Sequence, residues 1–420
     1  MLLAGLSDAT VLTAMGPQLP TALVSALLQA ARRGGIRLTL MVADLRGRWE
    51  FIDDDAVADV AAGQLVLLAL AGGIPRRLAG LVGYLPVSLW DVDRLIATGT
   101  LPVSIFVMRV GAGDAHRWAT YGDMIGYSPS ALDVADRVGF EVVPHPRIHP
   151  GAGGVPMGRA DVVVHGTYTP PERAPARPAT REQHAVGRRA AELVPDGATL
   201  QVGVGNVPAA VVAHLAGKTD LGVHSGILPG ELQPLIASGV ITGRRKTVQP
   251  GHHVATGLLG GDARAWGADV LLAPVSQTHH PAMLLEHENL WAINSALEVD
   301  LAGQVNAEYA GSDKVASGGG QIDFFRAAHA SPGGASVVAL PARTGSGASR
   351  IVPQLDHPVT TPGGDVDFVV TEYGVARLRG QTAHGRAQAL IEVAHPKDRP
   401  LLREAAAGPV PRPPQGAPDG

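Results

Sequence analysis

Short runs of aliphatic and β-branched residues alternate along this chain with segments of helical spacing. In the first 166 residues, Arg37–Val42, Gln64–Ala69, Val103–Val110 and Asp161–His165 read as strands, while Pro20–Arg32 and Ser130–Val138 carry the helical period. The most apolar window, Ala56 to Ile74, contains Asp59, Gln64 and internal glycines, and Pro75, Arg76 and Arg77 follow it. A buried helix and strand account for it better than a membrane span, which needs about 20 clean apolar residues. Further along, Ala198–Val202, Asp269–Pro274, Ala335–Leu340 and Val366–Thr371 read as strands, separated by helix-like Pro208–Ala216 and Gly385–Ala394. Such alternation predicts an α/β protein whose largely parallel sheets are covered by helices on both faces.

The pattern breaks between Thr167 and Glu182, where TYTPPERAPARPATRE is too dense in proline for a helix or a sheet interior. This divides the chain into an amino-terminal α/β domain (1–166), a linker (167–182) and a carboxy-terminal α/β domain (183–407). A Pro- and Gly-rich stretch (408–420) is expected to be a disordered tail. Lys and Arg total 34 against 38 Asp and Glu, a net charge of −4 with no basic stripe, so a nucleic-acid partner is not expected. There is no cysteine, which excludes disulfides, thiolate nucleophiles and cysteine-ligated zinc. The opening MLLAGLSDATVLTAMG lacks the basic segment of a secretory signal, so a cytoplasmic protein without membrane attachment is expected.

Four blocks contain candidate chemistry. In Ala198–Ala210 a strand runs into Gly203, Val204, Gly205 and Asn206, a turn that lets backbone approach a ligand at the start of a helix. It is not the dinucleotide fingerprint, because the third glycine is missing and Pro208 interrupts the pattern. In Leu221–Leu232 a strand is expected to end at His224-Ser225, with a helix starting near Pro229. Neighbouring strand residues face opposite ways, so His224 is badly placed as a base for Ser225. Ala316–Arg326 contains Gly318, Gly319 and Gly320 before Gln321, a turn able to offer consecutive N–H groups to an anion. Finally, His279-His280-Pro281 precedes Glu286, His287 and Glu288. Neither this block nor His252-His253 has a metal-ligand spacing, so no metal is expected.

Taken in order, LQVGVGNVPAAVVAHL, LGVHSGILPGELQPLIASGVITG, INSALEVDLAGQVNAE, SGGGQIDFFRAA, SPGGASVVALPARTGSGASRIVP and VTEYGVARLRG resemble the acetyl-CoA hydrolase/transferase family. The likeness is collinear from about Leu193 to Pro396, and looser at Gly83–Trp90, Gly99–Pro102 and Asp161–Val164. It implies two tandem NagB/RpiA/CoA-transferase-like open α/β domains with the active site in the cleft between them. It also implies coenzyme A, as acyl-CoA, for a substrate, and a homo-oligomer such as a homodimer. In the family's reaction a glutamate attacks the thioester and forms an acyl-glutamyl anhydride. CoA thiolate converts this to a glutamyl thioester, and a second carboxylate reverses the steps.

Where the resemblance places that glutamate, directly after His224-Ser225, this chain has Gly226. Where it expects Asn-Asn there are His279 and His280. The glycine loop is retained, so Gly318, Gly319, Gly320 and Gln321 are expected to contact the CoA thioester, along with Gly203, Gly205, Asn206 and Ser225. Loss of the side chain at Gly226 is expected to open a cavity for water or a larger acceptor. His280, with His279 beside it, is then suited to act as general base. Two routes stay open: hydrolysis or direct acyl transfer to water or another small acceptor, and CoA transfer to a carboxylate through a replacement such as Glu231. A third reading is a non-catalytic acyl-CoA binder acting as a sensor or partner subunit.

Overall fold

The structure, a computed structural model, describes residues 1–44, 47, 49–112, 117–144, 153–167, 178–260 and 266–407. Two large sheets organise these residues. The first contains β1 (Asp8–Thr13), β2 (Arg37–Asp44), β3 (Leu65–Gly72), β4 (Val82–Tyr84), β5 (Ile105–Gly111), β6 (Trp118–Thr120), β7 (Arg137–Val143), β8 (Gly154–Pro156) and β9 (Val162–His165). Its spatial order is β4-β3-β2-β1-β5, continuing in parallel through β7 to β9 and by antiparallel pairing through β6 to β8. Helices α1 (Thr21–Gly34), α2 (Asp54–Ala61), α3 (Leu89–Ala97) and α4 (Ser128–Val134) connect its strands.

The second sheet begins with β10 (Thr199–Val202), β11 (Gly222–Pro229), β12 (His253–Leu259), β13 (Val270–Leu272) and β14 (Leu290–Asn294). Short strands β15 (Glu298–Asp300), β16 (Val305–Asn306), β17 (Tyr309–Ala310) and β18 (Asp313–Lys314) form small excursions. β19 (Ala335–Ala339), β20 (Ile351–Val352), β21 (Phe368–Thr371) and β22 (Gly374–Arg377) follow. The sheet order is β13-β12-β11-β10-β14-β19-β21-β22, parallel except for the last pair. Its helices are α5 (Arg181–Leu193), α6 (Asn206–Ala213), α7 (Gln233–Ala237), α8 (Val275–Thr278), α9 (Pro281–Leu285), α10 (Gln321–Ala330), α11 (Ala383–Val393) and α12 (Arg399–Ala406). The expected α/β class with largely parallel sheets is what forms.

Side-chain alternation divides the second sheet into two chemically different faces. Leu200, Val202, Val223, Trp291 and Ile293 pack with Val186, Ala190 and Val207 of α5 and α6. On the other side Ala292 joins Leu284 of α9 and Phe324 of α10. Gln201 and Asn294 exchange both amide hydrogen bonds in the sheet, at 3.2 and 2.7 Å. The second face is therefore partly polar at the carboxyl ends of the strands, where open α/β sheets bind their ligands.

Three local expectations need correction. β11 does not end at Ser225; parallel pairing with β12 carries it through Gly226 to Pro229. A 3-10 turn at Gly230–Leu232, rather than a full helical turn, follows it. Helix α4 stops at Val134, because Arg137 and Val138 enter β7 beside β5. Of the linker, 168–177 lie outside the described residues, as does the 408–420 tail; α5 starts at Arg181 with Thr180 completing a capping box with Gln183. Among the described residues, no helix is long and apolar enough to cross a membrane.

Helices α5 and α6 approach through Gly187: a Cβ there would lie 2.6 Å from the carbonyl carbon and oxygen of Ala210. Gly187→Ala gains about 1 kcal/mol of helix propensity but forces backbone apart, at a cost of ~1–3 kcal/mol. A lower urea midpoint is expected; a raised midpoint would show that the helices are not in this contact.

Candidate functional site

Strand β11, the carboxyl end of α8 and the amino terminus of α10 bring Gly226, His279 and Gly320 together. Gly226 lies inside the β11 ladder, on the same face as His224, because residues two apart on a strand share a face. A Cβ at Gly226 would stand 3.0 Å from His279 Nε2, and one at Gly320 only 2.5 Å from the same atom. The imidazole is thus wedged between two positions that lack side chains. Its ring meets Phe324 edge-on with centroids 4.9 Å apart. The expected cavity at Gly226 is not what forms, because the His279 ring occupies the space beside it.

The tautomer of His279 follows from its neighbours. Nδ1 lies 2.8 Å from the Thr278 hydroxyl, and that hydroxyl lies 3.2 Å from the Pro274 carbonyl, which can only accept. Thr278 donates to Pro274, His279 Nδ1–H donates to Thr278, and Nε2 is left as a lone pair directed at Gly226 and Gly320. Burial pushes the pKa of His279 down to about 3, so the ring is neutral throughout the usual working range.

His280 is placed differently. It is half-buried, packs its ring against Trp90 at 4.5 Å, and accepts from Ala282 N–H through Nδ1, capping α9. The histidine that meets Gly226 is therefore His279. Ser225 is buried on the opposite face of β11 from Gly226. Glu231 is exposed in the 3-10 turn after β11. Gly203, Gly205 and exposed Asn206 form the turn from β10 into α6, at the same strand ends; a Cβ at Gly203 would collide with Asn294 Oδ1.

Gly318, Gly319 and Gly320 lead into α10, whose first residue, Gln321, donates its side-chain amide to Thr361. Among the described residues, the N–H groups of these three glycines have no protein acceptor. The loop is held from the first half of the chain: Ser317 N–H donates to the Gly72 carbonyl at 2.9 Å, and Leu89 N–H donates to that of Gly319 at 2.9 Å. On the other side of the loop, Glu308 Oε1 would lie 3.4 Å from a Cβ at Gly318, and Oε2 pairs with Lys314 at 3.3 Å.

Residues to which the sequence assigned no role support this arrangement. His224 donates Nε2–H to the Thr278 carbonyl at 3.0 Å and packs against His287 with centroids 4.4 Å apart. Burial, with the neighbouring His287 and Lys246, holds His224 well below the usual histidine range. Burial lowers His287 to about 4 and Lys246 to about 7; the Lys246 ammonium donates to the Val223 and His252 carbonyls. Among the described residues, no group of three or more His, Cys, Asp or Glu could hold a metal ion. The mostly buried Asp323 accepts from Trp90 N–H at 3.2 Å, and burial raises its carboxyl to about 7.

Comparison with known proteins places these features in a family. Residues 266–406, which include His279 and the glycine loop, match the acetyl-CoA hydrolase/transferase carboxy-terminal domain. A 4-hydroxybutyrate coenzyme A transferase from Clostridium kluyveri is 36% identical over 331 residues, 77% of each chain. A succinyl-CoA:cyclohexane-1-carboxylate CoA transferase from Geobacter metallireducens is 35% identical over 336 residues, 78% of this chain and 76% of its own. The crystal structure of RipA from Yersinia pestis superposes with a TM-score of 0.86 at 30% identity, over 96% of this chain and 95% of that one. A two-sheet α/β chain with this glycine loop and these relatives belongs to the acetyl-CoA hydrolase/transferase family.

Asp323 makes stability depend on pH in a definite direction. Its folded pKa lies above the unfolded value of 3.8, so the folded state holds the proton more tightly, and its contribution to stability is lost as pH rises from about 4 to about 7. Asp323→Asn keeps an acceptor oxygen and removes that cost. The variant should gain on the wild type across this window, by on the order of 1 kcal/mol or more at pH 8. A difference in melting free energy that stays flat with pH would contradict the burial of this carboxylate.

Proposed function

We propose that this chain acts on the thioester of a small acyl-CoA, hydrolysing it or passing its acyl group to a small acceptor, with His279 orienting the nucleophile. The observation that carries this is the Nε2 lone pair between Gly226 and Gly320, next to a loop whose N–H groups have no protein acceptor. In the proposed step, water donates a hydrogen bond to Nε2 and its oxygen attacks the thioester carbon. The proton moves to Nε2 as the carbonyl oxygen becomes an oxyanion facing the glycine N–H groups. Collapse breaks the C–S bond, and the proton leaves with the CoA thiolate, giving a free acid and CoA thiol. Burial disfavours an isolated imidazolium, so the ring holds the proton only while the oxyanion or thiolate lies beside it.

The CoA-transfer reading has one observation in its favour. Glu308, rather than the expected Glu231, borders the glycine loop, where Lys314 holds its carboxylate. That route takes a carboxylate as acceptor and passes through a glutamyl thioester at Glu308. Both routes require acyl-CoA and no metal, and we expect an assembly of two or more copies in the cytoplasm. The relatives are named for transferase and hydrolase activities, which disfavours a silent acyl-CoA binder.

Incubation with acetyl-, butyryl- and succinyl-CoA, with and without carboxylates, is read as free thiol and new CoA esters by mass spectrometry. Free thiol without an acceptor is expected. His279→Ala should cut its release about 100-fold or more, in the range typical for loss of a general base, while His280→Ala stays within a few-fold. Full activity in His279→Ala would overturn the assignment. New esters lost in Glu308→Gln would support CoA transfer instead.

A further inference from the structure

The site just described uses groups of the second half of the chain, yet the first half holds one of its parts in place through backbone. Helix α3 begins at Leu89, and the first N–H groups of any helix have no partner within it. Here each has one. Leu89 N–H donates to the Gly319 carbonyl at 2.9 Å, Trp90 N–H to Asp323 at 3.2 Å, and Asp91 N–H to the Ser88 hydroxyl at 3.2 Å. The Trp90 ring also packs against His280, the residue after His279. One turn of helix thus touches the glycine loop, α10 and the histidine corner.

We propose that the first turn of α3 sets the orientation of the Gly319–Gly320 peptide, with Leu89 and Asp323 as positioning residues. A trans peptide directs its C=O and N–H to opposite sides. Holding the Gly319 carbonyl against α3 therefore turns Gly320 N–H away from it, leaving that donor free of protein acceptors among the described residues. Ser317, fixed to Gly72 two residues earlier, limits rotation from the other end of the loop. The first half of the chain is then part of the reaction machinery without placing a side chain on the reacting atoms. The catalytic meaning of this fixed donor rests on the acyl-CoA reading above.

Leu89 offers a clean test because it is the first helical residue, where proline is well tolerated, and Ser88 before it is extended (φ −74°, ψ 167°), as proline requires. Leu89→Pro removes the N–H, whereas Leu89→Ala trims the same buried side chain and keeps it. Amide exchange at Phe324, which donates to the Gly320 carbonyl, reports on the anchored turn without any need for turnover. It should be about 10-fold faster in Leu89→Pro than in Leu89→Ala. kcat should fall at least 10-fold between the same two proteins, with affinity for an unreactive acyl-CoA thioether kept within 3-fold. Equal exchange in the two variants overturns the positioning role. Faster exchange in a protein whose wild type neither binds the thioether nor turns over acyl-CoA supports positioning and overturns the functional reading. If Leu89→Pro does not fold, Asp323→Ala should raise the same exchange and Asp323→Asn, which keeps an acceptor for Trp90 N–H, should restore it. Failure of that rescue also overturns the proposal.

Discussion

Everything at the carboxyl edge of the second sheet depends on one steric fit, the imidazole of His279 held between the bare Cα atoms of Gly226 and Gly320. The ring reaches within 3.0 Å of where a side chain would start at the first position and 2.5 Å at the second. Neither site accepts even a methyl group without moving the histidine. Packed interiors transmit such constraints because they contain few voids. Thr278 and Phe324 complete the enclosure, one fixing the tautomer and the other covering the ring edge-on. The two glycines and the histidine therefore act as one unit, and a change at any of them is a change at all three.

That unit lies in the second half of the chain and is anchored to the first. The glycine loop belongs to the second half but is tied at Ser317 and Gly319 to Gly72 and Leu89 of the first. β12 is likewise bridged to the first half: Gly257 pairs with Met124, and Leu258 N–H donates to the Asp123 carbonyl. The core repeats this pattern, since one apolar cluster contains Phe106 and Tyr127 together with Leu200 and Val223. Stability of the contact between halves and geometry of the site are consequently the same question.

The sequence pattern made much of the fold legible. β2, β3, β19 and β21 coincide with expected apolar runs because parallel strands buried on both faces carry little polar interruption. The pattern failed where a neighbour decides the outcome. β11 continues through Gly226 because β12 supplies a ladder partner, something no local propensity reports. The departure at Gly226 was visible, and the cavity inferred from it was wrong, because a ring distant in sequence fills the space. The sequence reading favoured His280 as the base, whereas the histidine beside Gly226 is His279. The choice is made by backbone: His279 ends α8 at φ −111°, ψ 0°, and His280 swings to φ −61°, ψ 123° to cap α9. Asp323 and Trp90 stood inside the blocks that carried the family resemblance, but their pairing is long-range.

The most direct measurement of the central claim is the 15N spectrum of the ring nitrogens in protein labelled at its 16 histidines. Followed from pH 5.5 to 8, it should contain the His279 imidazole, assigned by loss in His279→Ala. That ring should stay neutral throughout, protonated at Nδ1 and bare at Nε2, and its Nε2 resonance should shift when an unreactive acyl-CoA thioether is added. A ring that titrates between pH 6 and 7, carries its proton on Nε2, or ignores the thioether would contradict the account.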